Sequence, residues 1–267
     1  MVISQENIIR PAATLSVTWE RLPDDYKLEE EPVENTGQPL IAGALREPLE
    51  LIGYIKPEML MASNLGICAT VNGELVIKAP DWFYVPRVQP LTQRFDSEAL
   101  LLTADRKSYT PHLEGDNPSI VMEFLSDTEG GEYSVKRSYP PGKWFFYEQV
   151  LKVPTYVIFE PDTGLLEVYR LQEQRYDLEL PDPEGRHWFP EMGLFLGVWR
   201  GEKEGRTGYW LRWWDEGENL LLWGVERLEQ ERQQVEQERQ RAEQEHQRAE
   251  KLAAYLRSQG INPDEIE

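Results

Sequence analysis

Three consecutive stretches decide how the chain folds: Pro118-Ser-Ile-Val-Met-Glu123-Phe-Leu-Ser126, then Pro140-Pro-Gly-Lys143-Trp-Phe-Phe-Tyr147, then Pro154-Thr-Tyr-Val-Ile-Phe-Glu-Pro161. They read as strand, loop, helix, strand. Ile120, Val121, Met122, Phe124 and Leu125 make an apolar run short enough for a strand buried on both faces. Glu123 interrupts that run. A carboxylate in such a place costs free energy unless it is paired, hydrogen-bonded or bound to a metal. It is therefore expected at a strand end or a cleft, and the ordinary alternative is a core-edge glutamate paired with a nearby lysine.

Upstream, Ala79-Pro80-Asp81-Trp-Phe-Tyr-Val85 begins with a proline suited to a strand's first residue and continues with aromatic and β-branched residues. Before it, Asn72-Gly73 signals a hairpin turn leading into a strand. The spacing of Leu40, Ile41, Ala44, Leu45, Leu49, Ile52 and Ile55 predicts a helix over 39–60, with Pro48 breaking or restarting it. Short helices are expected near Val17–Leu22 and 96–102, with loop over the rest of 86–117. Downstream, Leu165–Leu171 and Arg175–Leu180 read as a hairpin, and Thr207–Trp214 as a strand with one wetter face, Trp210, Arg212 and Trp214, whose partner is expected at Asn219–Trp223. Strands, a helix and more strands make the fold class mixed α/β.

From Val225 the character changes. Leu228, Val235, Ala242, Ala249 and Leu256 recur every seven residues, and the parallel series is Val225, Arg232, Arg239, His246 and Ala253. This predicts a long helix with a thin heptad seam over 226–257, a weak coiled coil joining two copies in a homodimer. The plainer alternative is a solvated single helix held by charge pairs one turn apart. Gly260 and Pro263 end it, leaving a short tail over 258–267 after a globular part over 1–225.

Composition limits the chemistry. The chain has 267 residues, net charge −20, one Cys and three His. No apolar run approaches the roughly 20 residues of a membrane span, and the first residues do not read as a secretory signal. A lone Cys68 permits no internal disulfide and reads as a core filler, so a cytoplasmic setting is the simplest expectation. The negative charge opposes wholesale binding of nucleic acid. It is uneven, however: net −7 over 1–77, −2 over 78–152 and −7 over 153–225. A polyanion would approach the middle.

No HExxH, Cys/His zinc spacing, Gly-x-Ser-x-Gly elbow or P-loop is present. What remains is hard-cation chemistry from carboxylates and a lysine. If the strands opened by Asp81 and interrupted by Glu123 are neighbours, their carboxylates converge as ligands for Mg²⁺ or Mn²⁺. Lys143, four residues before Tyr147 on one helix face, is the candidate cation for orienting water or neutralising charge on a phosphodiester.

The order Pro80-Asp81, Glu123 in its strand, Lys143-x-x-x-Tyr147, Val153–Pro161 and Leu166-Glu-Val-Tyr-Arg-Leu171 resembles the Uma2 family, restriction-endonuclease-like proteins of the PD-(D/E)XK nuclease superfamily. The resemblance spans about 30–225 and implies a mixed-sheet core with flanking helices and divalent-metal-dependent cleavage of DNA. It assigns Asp81 and Glu123 to the metal and Lys143 to catalysis. The superfamily lysine two residues after the acid is Leu125 here, and a helix lysine replaces it. An acid expected four residues before that lysine is Tyr139. A further acid from an N-terminal helix would be Glu34, Glu47 or Glu50. The heptad tail resembles C-terminal extensions on some members. Two rivals stand beside this reading. One is a catalytically inactive scaffold acting through its coiled coil. The other is an aromatic ligand-binding module built on Trp199, Trp210, Trp213, Trp214 and Trp223.

Overall fold

The computed structural model describes residues 15–20, 36–90, 105–125, 133, 135, 137 and 140–260. The chain separates into two compact units, 1–221 and 222–267.

In the first unit the elements run β1 (Val17–Thr18), α1 (Gly37–Leu51), β2 (Leu60–Ala62), β3 (Ile67–Val71), β4 (Glu74–Lys78), β5 (Trp82–Val85), β6 (Ile120–Phe124) and α2 (Lys143–Phe145), which passes into a π-helical turn, Phe146–Leu151. There follow β7 (Thr155–Glu160), β8 (Leu165–Gln172), β9 (Arg175–Glu179), β10 (Arg186–Phe189), β11 (Leu194–Lys203) and β12 (Arg206–Trp214). A six-stranded sheet in the order β2-β5-β6-β7-β8-β9 forms the centre. All its pairings are antiparallel except β6 with β7. A parallel pair needs a crossover, and α2 with the π turn is carried on it. The architecture is mixed α/β, as expected.

Every residue of β5 and β6 is buried, so both faces of the sheet are covered. On one face Phe83, Val121, Tyr156 and Ile158 pack with Phe146, Tyr147, Val150 and Leu151 of the crossover and with Ile67, Ala69 and Val76 of the β1-β3-β4 sheet. On the other, Trp82 lies 6.2 Å from Trp213 of β12, whose indole N–H donates to the Leu45 carbonyl of α1 at 3.1 Å. Ile41, Leu45 and Leu49 of α1 have no exposed surface, each contributing about 1.5–3 kcal/mol of apolar burial.

The Asn72-Gly73 turn closes β3 on β4, with Val71 opposite Glu74 and both turn residues at positive φ (53° and 85°). The β8–β9 hairpin forms where expected.

Four local expectations are corrected. Val17–Thr18 is a strand: Val17 and Thr18 pair with Val71 and Thr70, and Asn72 Oδ1 accepts from the Ser16 N–H. α1 ends at Leu51 and contains Pro48 without a break. Pro48 sits in the last turn, and its own carbonyl accepts from Ile52 N–H, so Ile52 and Ile55 fall beyond the helix. β12 pairs with β11 along its length through a two-residue Glu204-Gly205 turn at positive φ. The expected partner, 219–223, makes only a Trp214–Leu220 bridge. Finally, the wetter face expected for β12 is largely closed: Trp210 and Arg212 are buried and Trp214 is half-buried. The expected helix at 96–102 lies outside the described residues.

The second unit contains α3 (Gly224–Ser258), 35 residues with none buried.

Candidate active site

β5 and β6 pair with Trp82 opposite Met122, Phe83 opposite Val121 and Tyr84 opposite Ile120. One step further along this register sets Asp81 opposite Glu123. Residues directly opposite in an antiparallel pair project to the same face, with Cβ atoms about 4.5–5.5 Å apart. The two acids singled out from the sequence therefore meet at one end of the strand pair. Phe124 N–H donates to Asp81 Oδ2 at 2.5 Å, which ties the aspartate to the neighbouring strand and fixes its direction.

Glu123 has no exposed surface. Both of its oxygens are engaged: Tyr147 Oη donates to Oε1 at 2.8 Å and Lys143 Nζ to Oε2 at 3.1 Å. The donors lie four residues apart on the crossover, one in α2 and one in the π turn, so a single helical face reaches both oxygens. The Lys143 side chain keeps 22 % exposure, which makes it the wet edge of the site.

Burial pushes the Glu123 carboxyl up to about 8. The Lys143 charge and the hydrogen bonds from Tyr147 and Lys143 pull it down, and the Asp81 charge opposite pushes it up again. Burial first, then the Glu123 charge, holds the Tyr147 hydroxyl well above the usual tyrosine range, so it stays a donor.

The third acid expected from the N-terminal helix is not delivered by α1. Glu47 is bound to Lys203 Nζ at 2.5 Å and Glu50 is exposed; Glu34 lies outside the described residues. The α1 side chain that reaches the site is Gln38, whose Nε2 donates to the Phe124 carbonyl at 2.7 Å while 8 % exposed. A polar residue on the buried stripe of α1 is the only sequence signal that could have found it. Tyr147 was placed on the right face from sequence, but its bond to Glu123 was not anticipated. Leu125 packs against the apolar cluster, and its N–H donates to the Phe159 carbonyl; Tyr139 lies outside the described residues.

Other reactive groups are elsewhere. Cys68 is buried, and burial pushes its thiol up to about 11, in keeping with a core filler. His187 bonds Glu179 through Nδ1 and His246 lies exposed on α3. Trp210, Trp213 and Trp223 are buried, which counts against an aromatic binding face, and Trp199 and Trp214 are half-buried.

Among the described residues no group of three or more His, Cys, Asp or Glu side chains converges on a cation position. The donor set nevertheless suits a hard divalent cation. Mg²⁺ commonly takes one or two carboxylates and fills its remaining positions with water and substrate phosphate. A glutamate wholly buried opposite a second carboxylate has excess negative charge to compensate once ionised.

No curated protein and no solved structure matches the chain, and no described helix is long and apolar enough to cross a membrane. Residues 55–201 match the model of the Uma2 family, described as "Putative restriction endonuclease". That span contains Asp81, Glu123, Lys143 and Tyr147 and more than half of the chain, and a nuclease is the class of protein this match indicates: the chain belongs to the Uma2 family.

Proposed function

We propose that the protein is a metal-dependent DNA endonuclease that hydrolyses phosphodiester bonds at Asp81, Glu123 and Lys143. The observation that carries this reading is the convergence of Lys143 Nζ and Tyr147 Oη on a buried Glu123 that lies opposite Asp81. Asp81 and Glu123 would hold Mg²⁺ or Mn²⁺, which supplies Lewis-acid polarisation of the phosphate and a more acidic water when bound.

The chain's own residues do the rest. The Phe124 N–H orients Asp81, and Tyr147 orients Glu123. Lys143, partly exposed, can turn its ammonium toward a phosphate oxygen, where it would stabilise charge that grows as the P–O bond breaks. The segment carrying these groups is the least acidic part of 1–225, so the polyanion meets least repulsion there. We assign catalysis to 1–225 and pairing to the heptads of 226–257. Cutting both strands of a duplex takes two such sites. The second site would be brought by a second chain, and which chain the heptads accept depends on the charges flanking the seam.

The test is nicking of supercoiled plasmid in Mg²⁺ or Mn²⁺. Asp81→Ala and Glu123→Ala each abolish metal-dependent nicking while circular dichroism shows an unchanged fold. Equal cutting by variant and parent removes these residues from the mechanism.

A second reading, an inactive scaffold on the nuclease fold, draws on two observations: Leu125 stands at the superfamily lysine position, and Glu47 is committed to Lys203. Calorimetric titration with Mn²⁺ separates the readings. Heat of binding that Asp81→Ala removes supports the nuclease; silence in the parent chain supports the scaffold.

A further inference from the structure

Taken by itself, α3 is a heptad helix with no buried residue. Leu228, Val235, Leu252 and Tyr255 are 48 %, 65 %, 59 % and 62 % exposed. Setting the Leu228–Leu256 series at position d puts Val225, Arg232, Arg239, His246 and Ala253 at position a. The positions that flank such a seam, e and g, are then occupied over 229–250 by seven glutamates: 229, 236, 243 and 250 at e, and 231, 238 and 245 at g. Of the acids in α3, only Glu226 lies elsewhere. The outward positions hold glutamines and arginines such as Gln230, Gln237 and Arg241. The acids are thus gathered along the two edges of the apolar stripe.

This segregation bears on what can cover the stripe. In a parallel pair of identical helices each g residue faces an e residue of the partner, and in an antiparallel pair g faces g and e faces e. Glutamate meets glutamate in both cases, at a seam already thinned by Ala242 and Ala249. Along the helix these charges are cancelled only in part. Glu229, Glu236 and Glu243 bond the side-chain amides of Gln233, Gln240 and Gln247, each at 2.9 Å, and an amide does not neutralise a carboxylate. Arg239 is engaged by Glu236 of its own helix at 3.0 Å.

We infer that α3 is the acidic half of a two-chain coiled coil, and that its partner is a different chain's helix with Lys or Arg at e and g, aliphatic residues at d, and acids opposite Arg232 and Arg239. Charge complementarity selects that occupant over a second copy of this chain.

The full-length chain is tested with synthetic heptad peptides. One has Lys at e and g and Glu at the two a positions facing the arginines. A second has the same composition in permuted order. A third has Glu at e and g. By sedimentation the chain alone is a monomer at neutral pH. By calorimetry it binds the first peptide at least tenfold more tightly than the other two, and the affinity falls by roughly tenfold or more as ionic strength rises from about 0.05 to about 0.5 M. The variant Glu229→Lys, Glu231→Lys, Glu236→Lys, Glu238→Lys, Glu243→Lys, Glu245→Lys, Glu250→Lys, on an exposed helix face, loses the basic peptide and gains the acidic one. A dimer without peptide, no binding, or equal binding of the permuted peptide overturns the inference. None of these outcomes touches the plasmid-nicking result.

Discussion

Replacing Glu123 by glutamine tests the electrostatics of the site separately from catalysis. An ordinary glutamate has a carboxyl pKa of 4.5, and in the folded chain burial, with Lys143 and Tyr147 working against it, leaves Glu123 at about 8. Because the folded value lies above the unfolded one, the stability this group contributes is fully present below pH 4.5. It is lost as pH rises through 8, since over that window the native state keeps a proton that the unfolded chain has released. At about 1.4 kcal/mol per pH unit, the loss reaches up to about 5 kcal/mol. The Glu123→Gln side chain would keep the shape without the titration. The measurement is urea unfolding of both proteins from pH 4 to pH 9, plotting parent stability minus variant stability. That difference falls steadily between pH 4.5 and 8 and is level above. Mn²⁺ at pH 9 raises the parent alone, by about 2.7 kcal/mol at a hundredfold excess over its dissociation constant. A difference that is flat across the range would mean that Glu123 is already ionised and fully compensated at neutral pH, and the account of the site given above would fail.

Other perturbations follow from the same contacts. Tyr147→Phe removes the donor to Glu123 Oε1, so unfolding assays should show a loss of about 1.5–3 kcal/mol at pH 9, a smaller loss at pH 6, and a fall in stability that extends to higher pH. Arg170→Met severs a hub that bonds Glu179 at 2.6 Å and Thr155 Oγ1 at 2.6 Å and lies over the Phe189 ring at 4.7 Å. Burial acts upward on Glu179, but Arg170 and His187 hold it below the ordinary value. The variant should lose about 2 kcal/mol at pH 7 and progressively less as pH falls below 4.5, where the unfolded chain takes up the proton first; a loss that grows toward acid would contradict this.

Much of the central sheet could be read directly because its signals are local. Asn72-Gly73 provides both positive-φ residues of its turn, and the interruption of an apolar run by Glu123 marks the buried carboxylate that Lys143 and Tyr147 reach. Asp81 and Glu123 could be expected to meet as soon as their strands were taken as neighbours. Elsewhere the deciding contact was remote. The Glu204-Gly205 turn lacks the usual Asn or Asp, so β11 was not seen as the partner of β12. Val17 is a strand residue because Val71 pairs with it, and helical spacing carried no trace of that. Pro48 is tolerated because the helix ends within a turn of it. Gln38 reaches the site through the Phe124 carbonyl, 86 residues away, where the resemblance implies an acid.

Lys143 does not sit on the strand that holds Glu123. It arrives on the connection that β6 and β7 require because they run in the same direction, 20 residues further along the chain. Its charge therefore reaches the acids only after that connection has laid itself across the sheet, a non-local event that comes late relative to hairpin closure. On the proposed mechanism, a nascent chain whose crossover is still loose would carry the two acids without the ammonium, and would not cut until that connection had closed.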